Sequence, residues 1–311
     1  MKKRGAGINA ALASAFFLGL APVLGKLAIR QGMAPLGVVA LRTVGAALLL
    51  FLVIFVFRRQ FLFIYPAGLL GCFLAGLING LGSLLFYSAL GRIDASLGQL
   101  LYSLYPIFVM LWLWLDKVVP SRMTLLRLLL ILPALYLLTQ GDHAEVDFVG
   151  VLMMLGASIL YALHLPINQR VLFDMPAPTV TLYTLFSMSL VVIPAYFLSG
   201  STLLPALDTA WGAVLGMTLV TFLSRLTLFL GVKHLGGMQT ALLGLGELLV
   251  TLAFAGFWLG ERLTLMQWMG AGLMMLSLLL VFSEKTAPVQ RFKGPLFGKF
   301  DANGQPRIFK S

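Results

Sequence analysis

Charged residues are scarce in this sequence. They make up 11% of the 311 residues, whereas the residues AVILMFWYC make up 60%. A soluble globular domain has roughly a quarter charged and about half apolar residues. A water-soluble chain could not bury so many apolar side chains, which excludes a soluble enzyme, a disordered chain and a nucleic-acid-binding protein. The mean hydropathy of +0.98 agrees with this composition, and both predict an all-α polytopic membrane protein whose partner is the lipid bilayer.

Cysteine and the common cofactor motifs are also missing. The single cysteine, Cys72, lies inside an apolar run, so a disulfide framework and a cysteine zinc site are excluded. The chain contains no GxxxxGK[ST] loop, no HExxH and no acidic cluster for a divalent metal. We therefore expect no cofactor, no metal and no catalytic residues, and we do not expect an ATP-driven pump.

Long apolar runs fill most of the chain. One bilayer crossing takes roughly 20 apolar residues in a helix. The first run, 5–25, follows Met1-Lys2-Lys3-Arg4 and is too long for a typical signal peptide, so it is interpreted as an uncleaved first span. Ten transmembrane helices are predicted, over 8–28, 36–57, 66–90, 94–115, 121–139, 148–169, 178–199, 209–231, 236–258 and 264–283.

The two halves of the chain are related. A shift of about 144 pairs Ser14 with Ser158 and Pro22 with Pro166, and a shift of 142 pairs Ser83 with Arg225. An odd number of helices per repeat inserts the second copy upside down, which is typical of secondary transporters. The predicted units are a first five-helix repeat, an outer linker, a second five-helix repeat and a basic cytoplasmic tail, over 1–140, 141–147, 148–283 and 284–311.

The basic residues predict the orientation. The chain has 22 Lys+Arg against 11 Asp+Glu, a net charge of +11. Most of the basic residues would lie in inner segments if both termini face the cytoplasm, while the outer loops would carry several acids. The positive-inside rule therefore favours N-in and C-in, in the cytoplasmic (inner) membrane of the cell.

Four short motifs carry a family resemblance: Ala40-Leu41-Arg42, Tyr87-Ser88-Ala89-Leu90, Leu104-Tyr105-Pro106 and the run 258–264. Together with the ten-span duplication they make 8–283 resemble the EamA-type branch of the drug/metabolite transporter superfamily. The resemblance implies a central cavity and the export of small metabolites, often amino acids or amphiphilic cations. Two positions depart from the pattern: Asp116 comes early after the fourth helix, and Glu247-Leu248 stands where the first half has Tyr105-Pro106.

Three of the charged residues within predicted spans are candidate site residues, because an ionised side chain costs at least about 2.5–3.5 kcal/mol at the bilayer centre. Glu247, flanked by glycine near the middle of the ninth helix, is a candidate proton-coupling or amine-binding carboxylate, or a hydrogen-bonded structural residue. Arg225 on the eighth helix either holds a substrate carboxylate, pairs with Glu247 or extends to the inner surface. Arg42 on the second helix contacts substrate or neutralises carbonyl groups.

Polar and aromatic residues form the second group of candidates. These residues lie in predicted spans and can contact a solute through hydrogen bonds or aromatic rings. They are Asn79 on the third helix, Gln99, Tyr102 and Tyr105 on the fourth, and Tyr161 and His164 on the sixth. Together they would suit an amphipathic small-molecule substrate with an amine, a carboxylate and an apolar part. The alternative is hydrogen bonding between helices, worth about 0.6 kcal/mol each.

Three classes of function follow from these features. The first is a secondary exporter of small organic metabolites that works by alternating access, driven by a proton gradient or by facilitated flow. Within this class an exporter of an opine-like or amino-acid-like metallophore is the second hypothesis. The other classes are a membrane-embedded enzyme, which would need clustered acids or histidines, and a membrane partner without transport activity, which would need no polar cavity.

Overall fold

A computed structural model describes residues 2–116, 120–138, 147–200, 211–260 and 264–280. All regular secondary structure in these residues is helical, which agrees with the predicted all-α class. The α-helices are α1 (Lys2–Arg30), α2 (Pro35–Phe57), α3 (Pro66–Leu90), α4 (Ala95–Tyr102), α5 (Tyr105–Leu115), α6 (Arg122–Leu138), α7 (Phe148–Leu172), α8 (Ala177–Leu198), α9 (Trp211–Leu235), α10 (Gly237–Gly244), α11 (Gly246–Phe254) and α12 (Leu265–Leu279).

Eight segments of the described chain are long and apolar enough to cross a membrane. Six of them are single helices, and two combine shorter ones: α4 with α5, and α10 with α11 and the π-helical turn Ala255–Leu259. The predicted fifth and tenth spans correspond to the shorter helices α6 (17 residues) and α12 (15 residues). The linker residues 141–146 and the tail 284–311 lie outside the described residues.

The fourth predicted helix, 94–115, is wrong as a single helix. The structure ends α4 at Tyr102 and begins α5 at Tyr105. Pro106 has no N–H to donate to the carbonyl of Tyr102, four residues earlier. That carbonyl accepts a hydrogen bond from Ser158 Oγ of α7 instead, at 2.9 Å. A hydroxyl group on a neighbouring helix therefore satisfies the backbone where the helix is interrupted.

The ninth predicted helix, 236–258, is interrupted as well. It ends at Gly244 and restarts at Gly246, with Leu245 between the two parts. Each glycine disfavours a continuous helix by about 1 kcal/mol relative to alanine. A Cβ atom at Gly244 would also meet the Tyr105 hydroxyl, so the first break packs against the second. Both ends of α10 lie 142 positions after the corresponding ends of α4, so the two breaks occupy equivalent places in the repeats.

Helix packing follows a two-fold pattern. Helix α1 packs on α9 as its counterpart α7 packs on α3, and α5 packs on α7 as α11 packs on α1. The α2–α8 and α6–α12 contacts each join a helix to its own counterpart. Every major contact of one repeat thus has an equivalent in the other, as expected when the halves are related by a two-fold axis.

Hydrogen bonds at the helix ends show that the repeats run in opposite directions. Lys26 Nζ, near the end of α1, donates to the carbonyl oxygens of Leu90 at 2.8 Å and Ile93 at 2.9 Å, so α1 and α3 end on the same side. Arg92, just after α3, pairs with Asp147 at the start of α7 at 2.8 Å. Helix α7 therefore begins where α1 ends, and the two equivalent helices are antiparallel.

Candidate functional site

A small cavity lies between the two broken helices. Its volume is about 40 Å³. One water needs roughly 10–15 Å³ measured in this way, so the cavity has room for a few waters and not for an organic solute. The lining residues come from six helices and the α10–α11 segment: Leu18, Ala21, Pro22, Arg42, Asn79, Gly82, Ser83, Phe86, Tyr87, Gln99, Tyr102, Ala157, Tyr161, Arg225 and Glu247.

Glu247 lies in the first turn of α11, immediately after the break. Only 2% of the residue is exposed, and its Oε1 atom has no hydrogen-bond partner. The carboxylate faces the side chains of Gln99 and Tyr105. The free N–H groups at a helix N-terminus favour a negative charge nearby. The break between α10 and α11 therefore places an acidic group at the cavity with acceptor capacity to spare.

Arg225 lies on α9, and its guanidinium lines the same cavity. It is buried, with Nε and Nη1 lacking any hydrogen-bond partner. The guanidinium carbon is 5.7 Å from the centre of the Tyr161 ring. Between Arg225 and Glu247, both described in full, no ion pair within 4.0 Å is formed. Arg225 thus neither extends to the surface nor neutralises Glu247 directly.

Arg42 joins three helices at the cavity. Its Nη1 donates to Thr221 Oγ1 of α9 at 3.2 Å, and its Nη2 donates to Ser83 Oγ of α3 at 3.3 Å. The guanidinium also lies 4.5 Å from the centre of the Tyr87 ring. These partners are neutral, so the charge of Arg42 is held by hydroxyl groups and an aromatic face rather than by a carboxylate.

The aromatic candidates form one cluster. The Tyr105 and Tyr161 ring centres are 4.9 Å apart, and Tyr102 lies 5.7 Å from Tyr105 and 5.1 Å from Tyr161. The Tyr105 hydroxyl donates to the carbonyl oxygen of Ala241 at 2.9 Å. Tyr102 and Tyr161 line the cavity. Tyr105 is not a lining residue, but its side chain faces the carboxylate of Glu247, which is one.

The amide candidates also line the cavity, with different surroundings. Gln99 Nε2 is buried and has no hydrogen-bond partner, so it is available to an acceptor in the cavity. Asn79 Nδ2 donates to the sulfur of Met188 on α8 at 3.1 Å. A thioether is a weak acceptor, and Asn79 therefore keeps much of its hydrogen-bonding capacity.

His164 does not line the cavity. It lies one turn beyond Tyr161 on α7, and its ring centre is 4.7 Å from the Tyr161 ring centre. Its Nδ1 is 2.5 Å from the carbonyl oxygen of Tyr161, which can only accept, so Nδ1 donates. Its Nε2 is buried without a partner. The structure thus places His164 behind the tyrosine cluster rather than beside Glu247.

Several lining residues were not among the sequence candidates. Ser83, Phe86 and Tyr87 of α3 complete the wall next to Arg42, and Pro22 of α1 lies opposite. Two signals pointed to them. The shift of 142 pairs Ser83 with Arg225, and Tyr87 opens one of the family motifs.

The contacts at the two breaks are reciprocal. Tyr105 bonds Ala241, and Glu247 faces Gln99. The same shift of 142 positions pairs Tyr105 with Glu247 and Gln99 with Ala241. The two-fold axis that relates the repeats therefore passes through this cavity, and the side chains at equivalent positions differ in chemistry.

Further polar contacts hold the helix ends beyond the cavity. Lys26 bonds the end of α3, and Lys233 Nζ of α9 donates to the carbonyl oxygen of Met175 after α7 at 2.8 Å. The Arg92 side chain donates to Asp147, and this contact lowers the pKa of the Asp147 carboxyl group below its ordinary value, as do the N–H groups of Val149 and Gly150. Within the described ranges, no three His, Cys, Asp or Glu side chains come close enough to hold a metal ion.

Comparison with known proteins agrees with this geometry. Residues 5–140 and 148–283 each match the EamA-like transporter family. The chain belongs to the EamA-like transporter family. It is therefore a multi-pass protein of the cytoplasmic membrane, built from two repeats of one transporter unit.

One curated relative and one solved structure illustrate the similarity. The uncharacterized transporter YwfM of Bacillus subtilis (strain 168) is 28% identical over 163 residues, which cover 49% of this chain and 52% of the relative. The chain thus matches about half the length of that relative. A crystal structure of a protein superposes with a TM-score of 0.72 at 12% identity, over 91% of this chain and 100% of its own. At this identity the superposition shows a shared fold alone.

Proposed function

We propose that this member of the EamA-like transporter family is a secondary transporter that exports small organic metabolites, such as amino acids or amphiphilic compounds, by alternating access. The inverted repeats support this, because two similar halves of opposite orientation can exchange conformations and so open one cavity to either side. The proposal assigns no enzymatic reaction to the protein.

The observation that carries the proposal is the hydrogen bonding of the polar groups in the cavity. Glu247 Oε1, Gln99 Nε2 and two nitrogens of Arg225 are buried with no hydrogen-bond partner. These polar atoms have no partner within the protein, so they can bond a polar solute or the waters for which the cavity has room. A pathway for a polar solute requires such groups, because a buried polar group without any partner costs about 1–3 kcal/mol.

The proposed topology has ten spans with both termini in the cytoplasm. Helices α6 and α12 then provide the fifth and tenth spans, and their mutual packing supports equivalent roles. Cysteines introduced at Ala144 and Ser201 should react with an impermeant reagent from outside, and cysteines at Gln60 and Ala287 only from inside. Labelling of Ala144→Cys from the inside alone would contradict this topology and indicate the opposite orientation.

Glu247 is the candidate for proton coupling. It is the acidic side chain among the described lining residues, and it lies at the break that a conformational change would move. Glu247→Gln keeps the size and imitates the protonated form. In proteoliposomes it should abolish solute accumulation driven by a pH gradient and leave solute exchange intact.

Two controls make the Glu247→Gln experiment decisive. Arg59→Gln changes an exposed residue that stacks on Phe55, and it should transport like the unmodified protein. Size-exclusion profiles should show that both variants are folded. If Glu247→Gln retains gradient-driven accumulation, Glu247 does not couple protons. If it also loses exchange while folded, the carboxylate binds solute or enables the conformational change.

A further inference from the structure

The cavity carries an excess of positive charge. Arg42, Arg225 and Glu247 are the charged side chains among its described lining residues, two cations against one anion. The lining residues of α1, α3, α4 and α7 are all uncharged, and His164 lies outside the lining. In a water-poor environment such an imbalance is costly unless a bound group completes it.

The guanidinium groups of Arg42, on α2, and Arg225, on α9, are close enough to interact electrostatically. Arg42 bonds Thr221, which precedes Arg225 by four residues and so lies on the same helix face. Arg42 Nε has no hydrogen-bond partner, and neither do Nε and Nη1 of Arg225. Both residues are 5% exposed, so these nitrogens are withdrawn from bulk water. Two adjacent cationic groups with unused donors form a binding site for an anion.

Four of the other lining residues are aromatic. Phe86 and Tyr102 pack edge to face, with ring centres 4.9 Å apart, and Tyr102 contacts Tyr161. Tyr87 and Tyr161 are the rings that face Arg42 and Arg225. A ligand held by the arginines would extend along these rings, which favours a planar apolar body.

We propose that the transported solute is an aromatic monocarboxylate without an amine, whose carboxylate binds between Arg225 and Arg42. This inference rests on the proposed transport function and specifies its substrate class. The present cavity is too small for such a solute, so binding occurs in a more open state of the same site.

The choice of an anion over other solutes follows from the charge balance. With Glu247 ionised, one carboxylate brings the three-residue site to neutrality, whereas a zwitterion leaves it at one positive charge and an amine raises it to two. With Glu247 protonated, a carboxylate reduces the charge from two to one, and an ammonium group has no counter-ion in the site. The anion is therefore preferred in both protonation states.

The test uses three probes that share a phenyl ring and a two-carbon chain: 3-phenylpropionate, phenylalanine and phenethylamine. Binding to the full-length purified protein in detergent is measured for each by equilibrium binding of the radiolabelled compound near neutral pH. We expect 3-phenylpropionate to bind at least about tenfold more tightly than phenylalanine, because the ammonium group leaves the site with one more positive charge than the carboxylate alone does. Phenethylamine should bind most weakly.

Variants of Arg225 connect the preference to the site. Arg225→Gln should weaken 3-phenylpropionate binding by about tenfold or more, because a charge-assisted hydrogen bond is lost. Arg225→Lys should recover part of it, and Arg59→Gln should bind as the unmodified protein does. Should Arg225→Gln fail to fold, the ranking of the three probes on the unmodified protein and the Arg225→Lys variant still decide the matter.

The outcomes separate this inference from the proposed function. If phenylalanine or phenethylamine binds best, if none of the three binds, or if folded Arg225→Gln binds 3-phenylpropionate with unchanged affinity, the anion site is refuted. Transport of another solute through the cavity would remain possible in each case. If 3-phenylpropionate binds as expected but is not moved across proteoliposome membranes, the anion site stands and its assignment to the transported solute is refuted.

Discussion

The break between α4 and α5 and the break between α10 and α11 occupy equivalent positions in the two repeats, yet their side chains differ. At the first break stand Tyr105 and Pro106, which are uncharged, and at the second stand Glu247 and Leu248. A second pair differs in the same way, because Ser83 of the first repeat corresponds to Arg225 of the second. Both charged members lie in the second repeat.

This difference separates the role of the shared backbone from that of the side chains. The shared backbone geometry supplies two similar halves that can exchange conformations. The unequal side chains supply the charged groups, which a strictly symmetric site would carry twice. An acid in place of Tyr105 and an arginine in place of Ser83 would each add at least about 2.5–3.5 kcal/mol near the bilayer centre. Asymmetry therefore limits the cost of burying charge while keeping one acid and its neighbouring cation at the axis.

The largest expected effect concerns the helix that covers the second break. A side chain at Gly19 of α1 would meet the carbonyl oxygen of Glu247 and the side chain of Val250, whereas the equivalent position in α7 is the larger Leu163. Gly19→Val should force α1 away from α11, abolish transport and destabilise the protein by about 1–3 kcal/mol or more. The loss of stability is measured by thermal unfolding in detergent, and the loss of transport is measured in proteoliposomes.

Gly5→Val is the matched control for Gly19→Val. It lies on the same helix, and nothing lies within 4 Å of the position where its Cβ would be. Unfolding temperature and transport should stay close to those of the unmodified protein. Equal damage from both substitutions would show that α1 tolerates no valine anywhere and that the close approach to Glu247 is unimportant.

A moderate effect is expected at the first break. Tyr105→Phe removes the hydroxyl that donates to Ala241 and faces Glu247. The loss leaves a buried carbonyl oxygen without its donor, which should cost about 1–3 kcal/mol. Tyr136→Phe, at a residue that is 65% exposed, should have a much smaller effect on the unfolding midpoint. If the two variants unfold alike, the contact between the breaks adds nothing to stability.

The smallest effect is expected at the surface, where Arg92 joins Asp147 across the boundary between the repeats. Because the pKa of Asp147 is lowered in the folded protein, the contact stabilises the fold above the unfolded pKa of roughly 3.9 and is lost as pH falls through the folded pKa. Asp147→Asn keeps a side-chain acceptor for the N–H groups of Val149 and Gly150.

The corresponding measurement compares unfolding temperatures at pH about 6 and about 3. Asp147→Asn should lower the unfolding temperature slightly at the higher pH and by less at the lower one. The difference should shrink in high salt, since both side chains are partly exposed. An effect that is independent of pH would indicate that only the helix cap at Asp147 matters.

The extent of the helices was largely predictable, and their interruption was not. The ends of the second, third and seventh predicted helices agree with α2, α3 and α8 within one residue. The first and eighth helices are longer than predicted, because α1 begins at Lys2 and α9 ends at Leu235. Apolar runs show where a helix meets hydrocarbon, and a helix can continue into water beyond that limit. Pro106, Gly244 and Gly246 signalled both breaks, yet single prolines and glycines also occur in unbroken membrane helices.

The candidate site was predictable in its residue types. Seven candidates line the cavity, Tyr105 faces Glu247 from its edge, and His164 lies behind Tyr161. The cost of polar groups in a membrane made these residues conspicuous. Their distances could not be predicted, because residues on one helix face still differ in depth and in the neighbour they meet. Tyr161 and His164 are three positions apart, and only the first lines the cavity.

The sequence by itself determined the class of the molecule: its hydropathy requires a bilayer, its internal similarity requires two repeats, and its few intramembrane charges identify Glu247, Arg225 and Arg42. The tertiary structure alone decided how those charges meet. It arranged them around one axis without an ion pair between Arg225 and Glu247, and gave Arg42 the hydroxyl groups of Thr221 and Ser83 as partners. Periodicity and composition report the solvent that each segment needs, whereas contacts between distant segments depend on how all the helices pack together.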